Sequence, residues 1–379
     1  MKVNDRDAKG HVKKYFPGSN SAYGFYSFYD QIIADDATRK YIIKGGPGVG
    51  KSTFMRSIAE KFLGMGYDLE FHCCSSDNDS LDGIVIPLLG IACIDGTAPH
   101  TVDPRNPGVV DEIIHLGDFW DEKGILRHRE AILETNREKS RLFRRAYNYL
   151  AAAKLFLDEV EGYYIENDAL DKVGLDKLAL QMNREIFQDR VNEHVGDKPI
   201  RRERHMFATA ITPAGPISYL ESLLSGIEKK YIIDGDDGTG KNDLISRVMD
   251  AAKMRGFFVE IYHCALDPHK IDHVIIPELG VAVLNSVTPH ILQPGPEDTV
   301  IETGQYTRDP GGERVQERET ARELYHRSMD TAVSFFHRAK AAHDELESYY
   351  IPNMNFGDID RLRHQIIKKI SSYAHGGEQ

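Results

Sequence analysis

Short apolar runs closed by glycine turns alternate with helix-spaced segments near the start of the chain. Tyr41–Lys44 (YIIK) runs straight into a glycine-rich turn, the pattern of a strand buried in a parallel sheet. Ser52–Leu63 then places Phe54, Met55, Ile58, Ala59 and Phe62 on one face of a helix. Leu69–Cys73 and Ile91–Ile94 read as further buried strands, with a connection around Leu81–Leu89 between them. Beyond Asp111 the pattern changes, and long helices are predicted over Ile125–Val160 and Val315–Tyr350. Strand, helix and strand joined by short turns predict a parallel sheet with right-handed crossovers.

The pattern occurs twice. Tyr41–Lys51 (YIIKGGPGVGK) and Tyr231–Lys241 (YIIDGDDGTGK) are identical at seven of eleven positions. At the same offset of 190, Asp82–His100 and Asp272–His290 agree at eight of nineteen, and four of the other eleven pairs are swaps among Ile, Val and Leu. Further landmarks recur in order: His72-Cys73 with His263-Cys264, Phe16 and Gly24 with Phe207 and Gly215, Tyr163-Tyr164-Ile165 with Tyr349-Tyr350-Ile351. Asp176-Lys177-Leu178 likewise parallels Asp360-Arg361-Leu362. Repeats kept in register along a chain mark duplicated structural units. The domains are therefore expected at 1–195 and 200–379, with the charged stretch Asn192–Arg204 as linker. Each copy shows three or four strands, one more being offered by Val12–Phe16 and its counterpart Met206–Ile211.

Composition narrows the classes. Of 379 residues, 41% are apolar and 28% charged, which suits two globular domains and excludes a disordered or collagen-like chain. The 47 basic and 59 acidic residues leave a net charge of −12, which argues against a general nucleic-acid binder. Four cysteines (Cys73, Cys74, Cys93, Cys264) are too few for a disulfide framework. The N-terminus lacks the apolar core of a signal peptide, and the longest uncharged apolar run, Ile84–Ile94, is broken by Pro87 and Gly90. A soluble, cytoplasmic protein is expected, with no membrane partner.

Gly45-Gly46-Pro47-Gly48-Val49-Gly50-Lys51-Ser52 reads G-x-x-x-x-G-K-[ST], a P-loop, set between a predicted strand and an amphipathic helix. Its glycines let successive N–H groups turn inward around a phosphate, and the following helix adds its N-terminal partial charge. Lys51 is placed to reach the β- and γ-phosphates of ATP, and Ser52 to ligate Mg²⁺. A second carboxylate near the metal is expected at the end of a neighbouring buried strand, and Asp95 after Ile91-Ala92-Cys93-Ile94 fits. In the second copy the loop is Gly235-Asp236-Asp237-Gly238-Thr239-Gly240-Lys241-Asn242, and Asn285 stands for Asp95. Both expected magnesium positions are asparagine together, and two aspartates enter a loop that should cradle an anion. Joint replacement ties Ser52 to Asp95.

Other residues carry weaker signals. Glu112, paired with Glu302, suits either a base that polarises the attacking water or a glutamate at a helix start. His72, Cys73, Cys74 and His100 match no standard zinc spacing, so packed or hydrogen-bonded roles are favoured. Asp77, Asp79 and Asp82 read as a solvated turn. Arg137, Lys139, Arg141, Arg144 and Arg145 read as a charged solvent face, the alternative being a source of a transition-state arginine. Tyr23, Phe25, Tyr26, Phe28 and Tyr29 read as packing of a helix that enters the first strand, ahead of base stacking.

The strings HCCSSDNDSLDG, DGTAPHTVDP and FPGSNSAYGFYSFYD, set in tandem halves that each carry a glycine loop, resemble an uncharacterised family of tandem-duplicated P-loop ATPase-like proteins of Gram-positive bacteria. The resemblance covers essentially the whole chain. It implies an α/β fold of two tandem P-loop NTPase-like domains, each a small, mainly parallel sheet with long added helices. It also implies nucleotide binding at Gly45–Thr53, Thr53 included. The second loop departs from the G-K-[ST] ending at Asn242. The expected function is a Mg²⁺-dependent ATPase active in the N-terminal half, with a regulatory or docking C-terminal half open to a protein partner or an oligomer. A small-molecule kinase and a non-hydrolysing scaffold are the alternatives. Without an N-K-x-D string to select guanine, ATP is the default nucleotide.

Overall fold

The computed structural model describes residues 9–98, 101–166, 168–192, 202–308 and 313–374. The first half runs β1 (Val12–Tyr15), β2 (Gly18–Ser21), β3 (Gly24–Ser27), β4 (Arg39–Lys44), α1 (Lys51–Leu63), β5 (Leu69–Cys73), β6 (Leu81–Ile86), β7 (Ile91–Asp95) and β8 (Asp111–His115). Three helices follow: α2 (Glu122–Leu126), the 38-residue α3 (Arg129–Glu166) and α4 (Lys172–Phe187). The second half repeats the order with β9 (Glu203–Met206), β10 (Thr209–Thr212), β11 (Gly215–Ser218), the short α5 (Leu220–Leu223), β12 (Lys229–Asp234) and α6 (Lys241–Met254). It continues through β13 (Val259–His263), β14 (Ile271–Ile276), β15 (Val281–Asn285) and β16 (Thr299–Glu302) to α7 (Glu313–Tyr350) and α8 (Phe356–Ala374). Most of the expected linker lies outside the described residues.

Each half builds one six-stranded mixed sheet, ordered β1-β5-β6-β7-β4-β8 and β9-β13-β14-β15-β12-β16. Within each sheet β6 or β14 runs antiparallel to both neighbours, and the remaining pairs are parallel. This corrects the expected count of three or four strands and adds one antiparallel strand to each otherwise parallel sheet. The stretch read as a connection, Leu81–Leu89, holds β6, and β8 is a polar edge strand. The reason is burial on both faces. Ile84, Ile86, Ile91 and Cys93 face the helix side, while Val85, Ala92 and Ile94 face the other half. Such strands show no alternation to read.

Three cores follow from that two-sided burial. One cluster packs α1 on the first sheet and another packs α6 on the second. A third joins the two sheets through Tyr15, Val85, Ile94, Met206, Tyr262, Ile275 and Leu284, among others. The halves also exchange helices. Ile359, Ile366 and Ile370 of α8 belong to the first half's core, and Leu175, Ala179, Met182 and Ile186 of α4 belong to the second's.

The long helices α3 and α7 lie antiparallel, for Thr135 meets Glu345 near one end and Arg318 meets the Tyr164 hydroxyl near the other. At about 1.5 Å per residue each spans roughly 57 Å. Paired bridges Trp120–Met354 and Leu170–Thr307 stitch each helix turn to the opposite half. Among the described residues no helix is long and apolar enough to cross a membrane.

Candidate functional site

β4 ends at Lys44 and α1 begins at Lys51, so Gly45–Gly50 turn the chain at the C-terminal end of an interior strand. Two positions require glycine. Gly48 has φ +68° and Gly50, capping α1, has φ +84°, a region costly for residues with a Cβ. A Cβ on Gly48 would also come within 2.9 Å of Ile351 Cγ1 and 3.2 Å of the Glu347 carbonyl oxygen. Both belong to the C-terminal half. Gly46 faces Tyr350 and Trp120 in the same way. Val49 is buried in the first core, and Thr53 is exposed on α1. Pro47 lies in the turn, between Gly46 and Gly48.

Lys51, Ser52 and Asp95 are brought together here. Asp95 ends β7 and lies opposite Ile43 of β4, beside the loop. Its Oδ2 stands 3.6 Å from Lys51 Nζ, and its Oδ1 accepts the Thr97 N–H at 2.8 Å. Lys51 folds back on its own loop, donating to the Gly45 and Gly46 carbonyls at 3.0 and 2.9 Å. Ser52 Oγ accepts the Leu81 N–H at 3.0 Å.

Asp82 joins them, in contrast to the solvated turn expected. It is buried on β6, one step beyond the Gly83–Ile94 pair and therefore across from Asp95. Tyr29 donates its hydroxyl to Asp82 Oδ2 at 2.5 Å. Burial raises the Asp95 carboxyl above its ordinary range; the Lys51 ammonium opposes this, and the Asp82 carboxylate adds to it. The DNDSLD string hid Asp82, because its other aspartates do form a turn, in which Asp79 is exposed and Asp77 half-buried.

One member of the basic run lies within electrostatic reach of the loop lysine. Burial, then the Lys51 charge, holds half-buried Lys139 below the ordinary lysine range. Arg141 instead pairs with Glu138 on the α3 surface. At the offset of 186 set by Tyr163 and Tyr349, the counterpart of Lys139 is Tyr325.

The second loop repeats the backbone and changes the chemistry. Lys241 donates to the Gly235 and Asp236 carbonyls, both at 2.6 Å. Asn242 reverses the polarity at the position of Ser52, donating to the Ile271 carbonyl at 2.9 Å. Asn285 donates to Asp272 Oδ1 at 3.3 Å, so the two facing carboxylates of the first half become a hydrogen-bonded amide–carboxylate pair. Asp236 is held by Arg322 at 2.8 Å, with Arg318 at 3.6 Å. A cavity of about 500 Å³ lies over this loop, lined by Lys241 and Lys270 and, from the other half, Lys172 and Leu175.

Other expected residues lie elsewhere. Glu112 is on strand β8 opposite Tyr41, four positions before the loop begins, or about 13 Å at 3.3 Å per residue. It pairs with Arg39 at 3.0 Å and Lys369 at 2.9 Å, apart from Lys51, Ser52 and Asp95. His72 is buried, stacked on Tyr15 with Glu70 3.5 Å away. Cys73 and Cys74 are unpaired thiols, and His100 lies outside the described residues. Among the described residues no group of three or more His, Cys, Asp or Glu side chains could by itself hold a metal ion. The aromatic stretch Tyr23–Tyr29 forms a hairpin strand and a short turn, not a helix. Comparison with known proteins finds no matching family model, curated protein or solved structure.

Proposed function

We propose that the protein binds ATP with Mg²⁺ at the first glycine loop, as a P-loop NTPase, and hydrolyses it there. The C-terminal half is a nucleotide-free counterpart that covers the site. The observation that carries this reading is the asymmetry between two superficially equivalent loops. Ser52, Asp95 and Lys139 are replaced together by Asn242, Asn285 and Tyr325, while the lysine–carbonyl contacts persist in both.

The donor set fits a hard divalent cation. Asp82 and Asp95 face one another with Lys51 beside Asp95 and the Ser52 hydroxyl at the loop. Carboxylate and hydroxyl oxygens suit Mg²⁺, which keeps several waters and takes its remaining ligands from phosphates. Ser52 and Asp95 would hold it, with Asp82 behind, and Mg²⁺ would neutralise charge developing on the phosphates. The loop N–H groups bind the phosphate oxygens. Lys51 exchanges its two carbonyls for phosphate oxygens, and Lys139 adds a second positive charge. Tyr350, Ile351 and Phe356 wall the loop from the opposite half and restrict water.

Lys51→Ala tests the reading: loss of most ATP affinity supports it, and unchanged affinity removes it. Free phosphate released from ATP alone marks an ATPase; turnover only with an added acceptor marks a kinase.

A further inference from the structure

We propose that Glu347 is an internal anion of the first loop, and that ATP binds by displacing it. The inference rests on the nucleotide reading above. Glu347 lies near the end of α7, in the C-terminal half, yet its Oε1 accepts the Gly48 N–H at 3.2 Å. That N–H belongs to the series that would wrap a phosphate. A carboxylate oxygen there stands in for a phosphate oxygen, carrying like charge to like position.

The repeat supplies an internal comparison. Glu161 is the counterpart of Glu347 at the offset of 186, and it lies against Gly238, the counterpart of Gly48. Glu161, however, is drawn to Lys270 at 2.5 Å. The residue equivalent to Lys270 in the first half is Ser80, which has no charge to offer. Glu347 therefore turns to the loop, with His343 Nε2 at 3.5 Å on its other side. The His343 imidazole foremost, with the Gly48 N–H contributing, keeps Glu347 below the ordinary glutamate range, so it is ionised at neutral pH.

A phosphate in the loop and an ionised Glu347 repel each other across one N–H group. Binding must then move the end of α7. Because α7 continues into Ile351 and Phe356, which pack on Gly48 and Gly50, the displacement reaches α8 and the first half's core. Occupancy of one half's loop is thus felt by the other half.

The test is a titration of Mg·ATP into the full chain, by calorimetry and by the emission of Trp120, the single tryptophan. Glu347→Ala should bind about tenfold more tightly than the parent, the scale of one charge-assisted hydrogen bond released. Glu347→Gln, which keeps the shape and removes the charge, should gain part of that and serves if the alanine variant does not fold. Glu161→Ala should change nothing. Unchanged or weaker binding in both Glu347 variants would overturn the displacement while leaving the loop assignment intact. An equal gain in Glu161→Ala would also overturn it, as general loosening of the helix pair. Absence of binding in the parent and in every variant would remove the nucleotide reading and this inference together.

Discussion

Phe16 and Phe207, equivalent residues of the two halves, exchange backbone hydrogen bonds: each N–H donates to the other's carbonyl, at 2.9 and 3.0 Å. An antiparallel pair between equivalent residues is what a local two-fold axis produces, so the repeat folds around a pseudo-dyad, as in an isologous dimer. Asn20, donating to the Ile211 carbonyl at 2.8 Å, extends the contact between the hairpins.

Because the terminal helices are exchanged across that axis, neither half should fold alone. Residues 1–195 without α8 would expose the surface that Ile359, Ile366 and Ile370 cover, at about 1.5–3 kcal/mol for each isoleucine. The isolated fragment is expected to aggregate, and co-expression with 200–379 to restore a soluble pair. Cooperative, monomeric unfolding of 1–195 in urea would contradict the exchange.

Asp95→Asn copies into the first half the change already present at Asn285. It should stabilise the nucleotide-free protein by about 1 kcal/mol, because an amide facing Asp82 replaces carboxylate repulsion with a hydrogen bond. The same substitution should abolish the Mg²⁺ dependence of ATP binding. Thermal unfolding with and without Mg·ATP reads both. A loss of stability in the free protein would show that Asp82 and Asp95 do not oppose one another.

Much of this was legible in the sequence. The loop, α1, Asp95 at a strand end and α7, expected over Val315–Tyr350 and found at Glu313–Tyr350, are legible in apolar spacing and glycine placement. β6 was not, since strands buried on both faces lose their alternation. Nor was the helix exchange: the apolar stripe Leu175, Ala179, Met182, Ile186 would fit either sheet, and only tertiary packing selects the opposite one. Glu347 is nearly 300 positions from Gly48 (separation 299), beyond any local pattern. Glu112 reads as a catalytic base or a helix-start glutamate, and not as a strand residue, because the polar edge strand DEIIH carries little apolar signal.

The halves are also joined by charge. Arg204 of β9 grips Glu70 of β5 through two hydrogen bonds, at 2.8 and 2.7 Å. Burial pushes the Glu70 carboxyl up, but the Arg204 guanidinium outweighs it and holds the group well below the usual range. A depressed carboxyl contributes stability that is present above its ordinary value near 4.5 and lost as pH falls toward the folded value. Arg204→Met removes the larger opposing influence and leaves only the weaker His72 contact against burial, so stability should fall by about 3–5 kcal/mol. It should then decline further as pH rises through the carboxylate range, the reverse of the parent's contribution. Urea unfolding between pH 4 and 7 (range chosen about the carboxylate values) decides; an unaltered midpoint and slope would show that the pair does not hold the halves.

One loop of the two is proposed to bind nucleotide. Lys241 holds the Gly235 and Asp236 carbonyls within its own loop, so Lys241→Ala should cost stability and leave nucleotide stoichiometry untouched. Calorimetric titration of Mg·ATP into the parent chain, Lys51→Ala and Lys241→Ala measures this directly. One site per chain, lost in Lys51→Ala and kept in Lys241→Ala, is the expected result. Two sites per chain, with the weaker lost in Lys241→Ala, or no site at all, would contradict it.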